Sequence, residues 1–125
     1  MDRPAKILIV DDDPDLCSML EYYFNNLGYE VHLADHGSAA IRMARETRPD
    51  VILLDVMLPD VSGYTVARTL RADRDTSHIP IIVLTARSER EERLEALELG
   101  ADDFITKPFD AQELRLRIQR MLKSR

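Results

Sequence analysis

The chain has 125 residues, of which 45% are hydrophobic and 32% are charged, and its 23 acidic and 17 basic residues give a formal net charge of −6. This length usually builds one domain around one core, and the hydrophobic fraction argues against wholesale disorder. The acidic balance argues against a free-standing nucleic-acid-binding domain and against a polybasic membrane anchor, because both need a basic surface. We therefore expect one domain that makes no direct contact with nucleic acid or membrane.

The termini and the cysteine content favour a cytoplasmic location. No apolar run approaches the roughly 20 residues of a membrane-spanning helix, and residues 1–4 lack the long apolar region of a signal peptide. The lone Cys17 excludes an internal disulfide and a zinc site built from several cysteines. Since it lies in a helical pattern, we expect Cys17 to be a small buried hydrophobic residue.

Strand and helix patterns alternate along the whole chain. Short apolar runs predict five strands, at residues 6–10, 29–34, 51–54, 79–84 and 103–106. Apolar residues at helical spacing predict five helices, between residues 16 and 27, 38 and 47, 64 and 72, 88 and 100, and 110 and 122. The turn residues between 59 and 63 separate the third strand from the third helix.

Capping residues support these helix boundaries. Gly28 follows the first helix, where a left-handed residue commonly ends a helix. Asp13 precedes Pro14, the usual order of an N-cap and a first helical residue, so we expect Asp13 to cap the helix and not to contact a metal. Ser88 and Asp110 are each followed by Glu three residues later, which is the spacing of a capping box.

The alternation predicts an α/β fold with a doubly wound parallel sheet. The strands are continuously apolar, which indicates that helices cover both faces of the sheet. Right-handed crossovers between parallel strands then wind the chain in both directions. In such sheets the binding site lies beyond the carboxyl ends of the strands, so the residues that follow each strand become the candidate site residues.

Three acids, a hydroxyl and an amine lie at these strand ends. Asp11 and Asp12 follow the first strand, Asp55 follows the third, and Thr85 and Lys107 follow the fourth and fifth. Carboxylate ligands without histidine or cysteine favour Mg²⁺. A carboxylate can also attack a phosphoryl group, and the ammonium and hydroxyl groups suit the charge that develops on the phosphoryl oxygens.

With these residues in this order, the chain resembles the receiver domain of two-component response regulators. The resemblance covers essentially the whole length and rests on ILIVDDDPDL (7–16), VILLDVMLPDVSG (51–63), IPIIVLTA (79–86) and GADDFITKPF (100–109). It implies a flavodoxin-like five-stranded sheet of order 2-1-3-4-5, flanked by five helices.

The resemblance also implies roles for the acidic residues. Asp55 matches the phospho-acceptor of the family. Asp12 matches the direct Mg²⁺ ligand and Asp11 its water-mediated partner, while Met57 matches the position whose backbone carbonyl binds the metal. Asp55 completes the implied metal site. The alternative is that these acids only end strands.

Thr85 and Lys107 match the residues that hold the phosphoryl group, and Phe104 matches the switch aromatic. Thr85 is otherwise an ordinary strand residue, Lys107 a solvated lysine and Phe104 a core residue. The Lys107–Pro108 bond is a candidate cis peptide. Ser62 departs from the Asp that many members carry, and Thr106 from an apolar strand residue.

The remaining charged groups carry no assigned chemistry. The three histidines share no metal-ligand spacing, and we expect them to be structural or exposed. The last helix is rich in basic residues, which favour its C-terminus or form a surface for dimerisation or for an output domain. These basic residues are Arg115, Arg117, Arg120, Lys123 and Arg125.

The resemblance implies a phospho-accepting signalling switch and not an enzyme. Asp55 would receive a phosphoryl group from a histidine kinase or phosphotransfer protein, and the face formed by the fourth helix, fifth strand and fifth helix would change to control a partner. A receiver homodimer and a C-terminal output domain are further candidate partners. We expect residues 1–125 to be one receiver domain, either complete or the N-terminal part of a longer regulator.

Two other functions remain open at this point. The acid-x-acid spacing of Asp11 and Asp13 is similar to that of haloacid-dehalogenase phosphohydrolases, which also form an aspartyl phosphate. Against that alternative, their nucleophile lies on the first strand and no segment is left for a cap. A degenerate receiver that acts only as a binding module would lack a site residue, and none is missing from this sequence.

Overall fold

The computed structural model describes residues 3–86 and 100–123. Its strands are β1 (Lys6–Val10), β2 (Glu30–Ala34), β3 (Val51–Asp55), β4 (Ile81–Thr85) and β5 (Asp103–Thr106). The helices are α1 (Pro14–Asn26), α2 (Gly37–Thr47), α3 (Gly63–Ala72) and α4 (Ala111–Lys123). The helix predicted between residues 88 and 100 lies outside the described residues, so α4 is the fifth helix of the sequence prediction.

The five strands form one sheet in the order β2-β1-β3-β4-β5. All neighbouring strands are parallel, with Val10 opposite Leu54, Asp55 opposite Leu84 and Thr85 opposite Thr106. This is the strand order of flavodoxin-like doubly wound folds. The predicted fold class and strand order are therefore confirmed.

Helices cover both faces of the sheet, as the continuous apolar strands predicted. Alternate residues of β1 point to opposite faces, so that Leu8 and Val10 join one buried cluster and Ile7 and Ile9 the other. The first cluster also contains residues of α2 and α3, and the second contains residues of α1 and α4. Cys17 is buried in the second cluster, as expected.

Two strands begin later than the sequence predicted, because local hydrogen bonds take up the preceding residues. The Tyr29 N–H donates to the Phe24 carbonyl (3.1 Å), which keeps Tyr29 in the turn before β2. The Ile79 N–H likewise donates to the Thr76 carbonyl (3.1 Å), and β4 begins at Ile81.

The predicted caps are present where the structure describes them, and the predicted cap Ser88 lies outside the described residues. Asp13 Oδ1 accepts the N–H groups of Asp15 (3.0 Å) and Leu16 (3.3 Å), so Asp13 is the N-cap of α1. Gly28 has a φ of +92° immediately beyond α1, which confirms the predicted left-handed residue. Ser62, the departure from the family pattern, caps α3 by accepting the Thr65 N–H (3.2 Å).

The Lys107–Pro108 peptide bond is cis, as the sequence analysis suggested. Within residues 3–86 and 100–123, none of the helices combines the length and apolar character that a membrane span requires.

Candidate functional site

Three carboxylates meet at the carboxyl end of the sheet because β1 and β3 are parallel neighbours. Asp11 and Asp12 follow β1 directly and Asp55 is the last residue of β3. One carboxylate oxygen from each of the three lies within 4.8 Å of the other two. Asp11 is 1% exposed and Asp55 is 5% exposed, whereas Asp12 is exposed. The structure therefore brings these three acids close together, as the sequence predicted.

Lys107 brings a positive charge to the two buried carboxylates. Its Nζ donates to Asp11 Oδ2 at 2.7 Å and lies 3.5 Å from Asp55 Oδ2. The backbone N–H of Lys107 donates to the Thr85 carbonyl (2.6 Å), which ties the residue after β5 to the end of β4. This backbone hydrogen bond fixes the position of Lys107, and its amine faces both acids.

Backbone N–H groups orient the same two carboxylates. The Asp13 N–H donates to Asp11 Oδ1 (3.0 Å), and the Met57 N–H donates to Asp55 Oδ1 (3.2 Å). Asp11 is also held through its carbonyl, which accepts a hydrogen bond from the Cys17 thiol (3.3 Å). Burial raises the pKa of Cys17 to about 11, and the nearby charge of Asp11 adds to that increase. The thiol therefore stays neutral at pH 7 and acts as a hydrogen-bond donor.

Burial dominates the electrostatics of Asp55. Desolvation raises the pKa of Asp55 and the charge of Asp11 adds to this rise, against the opposing effects of the Met57 N–H and of Lys107. For Lys107, burial acts to lower the pKa, but the hydrogen bond to Asp11 and the charges of Asp11 and Asp55 outweigh it and raise the pKa overall. The ammonium form of Lys107 is therefore favoured beside these acids.

The donor set fits a hard divalent cation. Only carboxylate oxygens form this cluster of described residues, and Mg²⁺ prefers such oxygen ligands. Three carboxylate groups beside one lysine amine have a formal net charge of −2, which a divalent cation neutralises. The cleft they line has a volume of about 450 Å³, enough for an ion with bound water and a phosphoryl group. Met57, 73% exposed, lines it as well.

Thr85 and Phe104 occupy different surroundings from the acids. Thr85 is fully buried at the end of β4, and it is absent from the described residues that line the cleft, although the following Ala86 lines it. Phe104 lies on β5 opposite Val83 and is half-buried against the core cluster on the α2 and α3 face. The structure thus places Thr85 beside the site and Phe104 away from it.

Two residues of the segment after β3 were not singled out by the sequence analysis. Gly63 lies so close to β3 that an added Cβ would meet the carbonyl oxygen of Asp55 and the Cα of Val56 (2.7 Å). Asp60 accepts hydrogen bonds from the first residues of α2, which lie 22 and 23 positions earlier in the sequence. The residue before α2 is a histidine, a poor N-cap, and this is the signal that a partner from elsewhere in the chain is needed.

The described histidine contacts agree with the expectation of structural or exposed histidines. His32 Nε2 lies 2.7 Å from Glu30 Oε2, and His36 Nδ1 lies 2.7 Å from Asp35 Oδ1.

On α4, Arg117 donates to the Asp103 carboxylate (2.8 Å) and to the Phe104 carbonyl (2.8 Å). Arg117 therefore joins α4 to the strand that carries Phe104.

A parallel sheet of this strand order, with clustered acids and a lysine at its carboxyl end, defines a flavodoxin-like α/β domain with an acidic site, and the comparisons with known proteins agree. Residues 7–119 match the family described as "Response regulator receiver domain". The chain belongs to this family, the receiver domains of two-component response regulators. Such domains are signalling switches, not classical enzymes. The dehalogenase-type alternative finds no support in these comparisons.

Two curated relatives are DNA-binding regulators about twice as long as this chain. The chain is 39% identical over 118 residues to the DNA-binding dual master transcriptional regulator RpaA of Synechocystis, covering 94% of this chain and 49% of the relative. It is 43% identical over 118 residues to the DNA-binding response regulator MtrA of Mycolicibacterium smegmatis, covering 94% of this chain and 50% of the relative. The chain thus spans about half the length of these curated relatives.

Solved structures agree with the same fold. A response regulator from Chloroflexus aurantiacus matches with a TM-score of 0.90 at 38% identity, covering 96% of this chain and 98% of that one. The receiver domain of sensor histidine kinase PA1611 from Pseudomonas aeruginosa matches with a TM-score of 0.87 at 37% identity, covering 96% and 98%. That structure has a magnesium ion coordinated in its active-site cleft.

Proposed function

We propose that the chain is a phospho-accepting switch in which Asp55 takes a phosphoryl group from a phosphohistidine of a histidine kinase or phosphotransfer protein. The observation that carries this proposal is the buried Asp55 carboxylate, which shares a cluster with Asp11 and Asp12 and lies 3.5 Å from Lys107 Nζ. The magnesium ion in the active-site cleft of the related histidine-kinase receiver domain supports a metal-dependent reaction in this domain as well.

Asp11, Asp12, Asp55 and the Met57 backbone carbonyl would hold Mg²⁺. When bound, Mg²⁺ neutralises charge on the carboxylates and on the phosphoryl oxygens, and it lets a phosphoryl group approach an acidic site. The hydrogen bond from the Met57 N–H keeps one Asp55 oxygen oriented, while the other faces Lys107. Asp55 is therefore held as a nucleophile before its substrate arrives.

In the transfer, an Asp55 oxygen attacks phosphorus and the phosphorus–nitrogen bond of the phosphohistidine breaks, leaving an acyl phosphate and a free imidazole. The Lys107 ammonium, now bonded to Asp11, is close enough to Asp55 to pair with an oxygen of the incoming phosphoryl group. We further propose that the Thr85 side chain, buried beside the cleft, turns on phosphorylation so that its hydroxyl donates a hydrogen bond to a phosphoryl oxygen as the second protein contact. Asp55 supplies the nucleophile, and Lys107 and Thr85 stabilise the charge.

The proposed readout joins Thr85 to Phe104. Thr85 is opposite Thr106 on β5, and the carbonyl of Phe104 accepts a hydrogen bond from Arg117 of α4. A change at Thr85 on phosphorylation would pass along β5 to α4 and to the helix predicted between residues 88 and 100. We propose that these three elements form the face that contacts an output domain or a second receiver. Because the acyl phosphate replaces the carboxylate charge of Asp55, phosphorylation adds about −1 net charge there, less than the roughly −1.5 to −2 added to a hydroxyl, and this local change is able to bias two packings.

We also propose that residues 1–125 form a single receiver domain located in the cytoplasm. In the relatives, whose names describe DNA-binding regulators, this region is about half of the protein. By analogy, the domain itself would not touch DNA or membrane, and a C-terminal output domain would act for it. The domain would assist its own phosphorylation and dephosphorylation without turning over a substrate as an enzyme does.

The test is a Mg²⁺-dependent reaction with acetyl phosphate. We expect one phosphoryl group per chain, detected by intact mass, and complete loss of labelling in Asp55→Asn. Asp13→Asn is the matched control, since Asp13 is a neighbouring acid that caps α1, and it should keep wild-type labelling. Rapid multiple turnovers that Asp11→Asn abolishes would instead favour a phosphohydrolase, and absence of both labelling and Mg²⁺ binding would leave a binding module.

A further inference from the structure

The N-terminus of α2 is capped from a distant part of the chain. Its N-cap residue, His36, makes no side-chain capping bond. Instead, Asp60 Oδ1 accepts the Gly37 N–H (2.7 Å), and Asp60 Oδ2 accepts both the N–H (3.0 Å) and the hydroxyl (2.9 Å) of Ser38. These donors hold the pKa of Asp60 well below its usual range. Asp60 therefore satisfies N–H groups that α2 cannot satisfy itself.

A close approach of the backbone adds a second tie between the same two segments. A Cβ at Gly37 would collide with Val61 and would lie 2.9 Å from Val66 and 3.2 Å from Asp60 Oδ1. The first residue of α2 therefore has no side chain because residues 60 and 61 occupy that space. Residues 56–62, which we call the β3–α3 loop, are thus fixed against α2 by hydrogen bonds and by packing.

The same loop forms one wall of the acidic cleft. Met57, Leu58 and Pro59 line the cleft, and the Met57 N–H holds Asp55 Oδ1. At the far end of the loop, the Gly63 N–H donates to the Val56 carbonyl (3.0 Å). The loop is therefore closed on itself at its ends and fastened to α2 near its middle, three residues beyond Met57.

We propose that Asp60 is a positioning residue of the metal site, which fixes the β3–α3 loop so that Met57 and Asp55 are oriented before Mg²⁺ binds. This inference rests on the proposed function of the acidic cluster. Without the Asp60 bonds, the loop would have to be ordered when the metal binds, and this ordering would oppose binding. Groups that orient metal ligands from outside commonly change metal affinity by about 10–100-fold, and a more distant one should do less.

The structure offers a matched control at the other end of α2. Asp73 Oδ2 accepts a hydrogen bond from Arg45 Nε (2.7 Å) in the last turn of α2, and Asp73 Oδ1 accepts the Asp75 N–H (2.9 Å). Like Asp60, Asp73 has a pKa lowered by the hydrogen bonds it accepts. Asp60 and Asp73 therefore fasten opposite ends of one helix, but only Asp60 belongs to the loop that lines the cleft.

The experiment measures Mg²⁺ binding by titration calorimetry for wild type, Asp60→Ala, Asp60→Asn and Asp73→Ala. We expect the Mg²⁺ Kd to rise about fivefold in Asp60→Ala. Asn keeps one capping oxygen, but its NH2 group cannot accept the remaining bonds, so the Kd of Asp60→Asn should lie between those of wild type and Asp60→Ala. Asp73→Ala should leave the Kd unchanged. In wild type, amide NMR signals of Gly37 and Ser38 should shift as Mg²⁺ is added, and these shifts should be lost in Asp60→Ala.

Labelling by acetyl phosphate supplies a second readout. The Mg²⁺ concentration for half-maximal labelling should rise in Asp60→Ala by the same factor as the Kd, while the rate at saturating Mg²⁺ should change less. Equal effects of Asp60→Ala and Asp73→Ala, or no effect of either, would overturn the positioning role and leave the proposed function intact. Failure of the wild type to bind Mg²⁺ and to be labelled would overturn the proposed function, and the inference with it.

Discussion

The two ends of the sheet use the same residue, aspartate, in opposite ways. At the amino end, Asp50 accepts the Lys6 N–H (2.7 Å) and pairs with Arg3 (3.2 Å). Asp102 accepts the N–H of Ile81 and pairs with Arg71, both at 2.8 Å. Each of these acids faces a backbone donor at the start of a strand and its own arginine, so each fastens two parts of the fold.

At the carboxyl end, Asp11 and Asp55 face the same Lys107, and Asp12 lies beside them. Like charges are gathered there instead of being separated. The difference shows that acids paired one to one hold strands in place, whereas acids that share a cation keep a charge that a ligand can neutralise. Because Asp55 is buried, the gathered negative charges lower the stability of the folded chain when no cation is bound.

The largest expected effect comes from the amino end. Asp50→Ala removes the acceptor for the Lys6 N–H in a buried position, and we expect the free energy of unfolding to fall by about 3 kcal/mol. Urea denaturation measures this change. Arg3→Ala is the control, because the Arg3 side chain is exposed, so that its pair with Asp50 should contribute only about 1 kcal/mol, and the Lys6 bond is kept. Equal losses in the two variants would contradict the structural role of Asp50.

Magnesium binding should offset the loss of stability that repulsion among the carboxylates causes at the carboxyl end of the sheet. At ten times its Kd, Mg²⁺ should raise the free energy of unfolding of the wild type by about 1.4 kcal/mol, because it binds only the folded chain. Urea denaturation at increasing Mg²⁺ concentration checks this prediction. Asp12, an exposed residue of the proposed metal site, provides the control, and an undiminished gain in Asp12→Asn would show that Mg²⁺ acts elsewhere.

Removing a charge from the acidic cluster should stabilise the metal-free fold. Asp55→Asn keeps the shape of the side chain but removes a buried like charge, and we expect the free energy of unfolding to rise by about 1 kcal/mol without Mg²⁺. Thermal denaturation with and without Mg²⁺ is the measurement. Asp13→Asn should change stability little, since Asn and Asp cap helices about equally well. Destabilisation in Asp55→Asn would refute the contrast between the two ends.

The smallest expected effect depends on pH at Asp60. Its pKa is lowered in the folded chain by the N–H groups of α2, so its contribution to stability is present above the unfolded pKa of about 4 and is lost as pH falls below it. The stability difference between wild type and Asp60→Asn should therefore shrink between pH 6 and pH 3 in urea denaturation. A difference independent of pH would contradict a role for the Asp60 charge.

Much of the fold and the position of the acidic cluster follow from local sequence. Continuous apolar strands predict a parallel sheet covered on both faces. Because the carboxyl ends of parallel strands lie at one edge of the sheet, Asp11, Asp55 and Lys107 are predicted to lie together there. The Asp13 cap and the Gly28 turn also follow from local residue preferences. These predictions succeed because each depends on neighbouring residues or on the direction of parallel strands.

Contacts between distant segments could not be predicted in the same way. The sequence indicates only a turn at Asp60. Its hydrogen bonds to α2 depend on how α2 and α3 pack together on one face of the sheet. Thr85 was expected among the site residues from its place at a strand end, but exposure to the cleft depends on the rotation of the strand end. Strand position therefore predicts which residues come near the site, whereas the surroundings of each side chain depend on packing between distant segments.

The central position of β3 has a consequence for hydrogen exchange. All five of its residues are buried, and it has a hydrogen-bonded neighbour on each side. Amides in such a strand exchange with solvent only when the whole domain unfolds. We therefore expect the proposed acceptor Asp55 to be attached to a slowly exchanging strand, in which the amide protection of Leu54 reports the global stability of the domain.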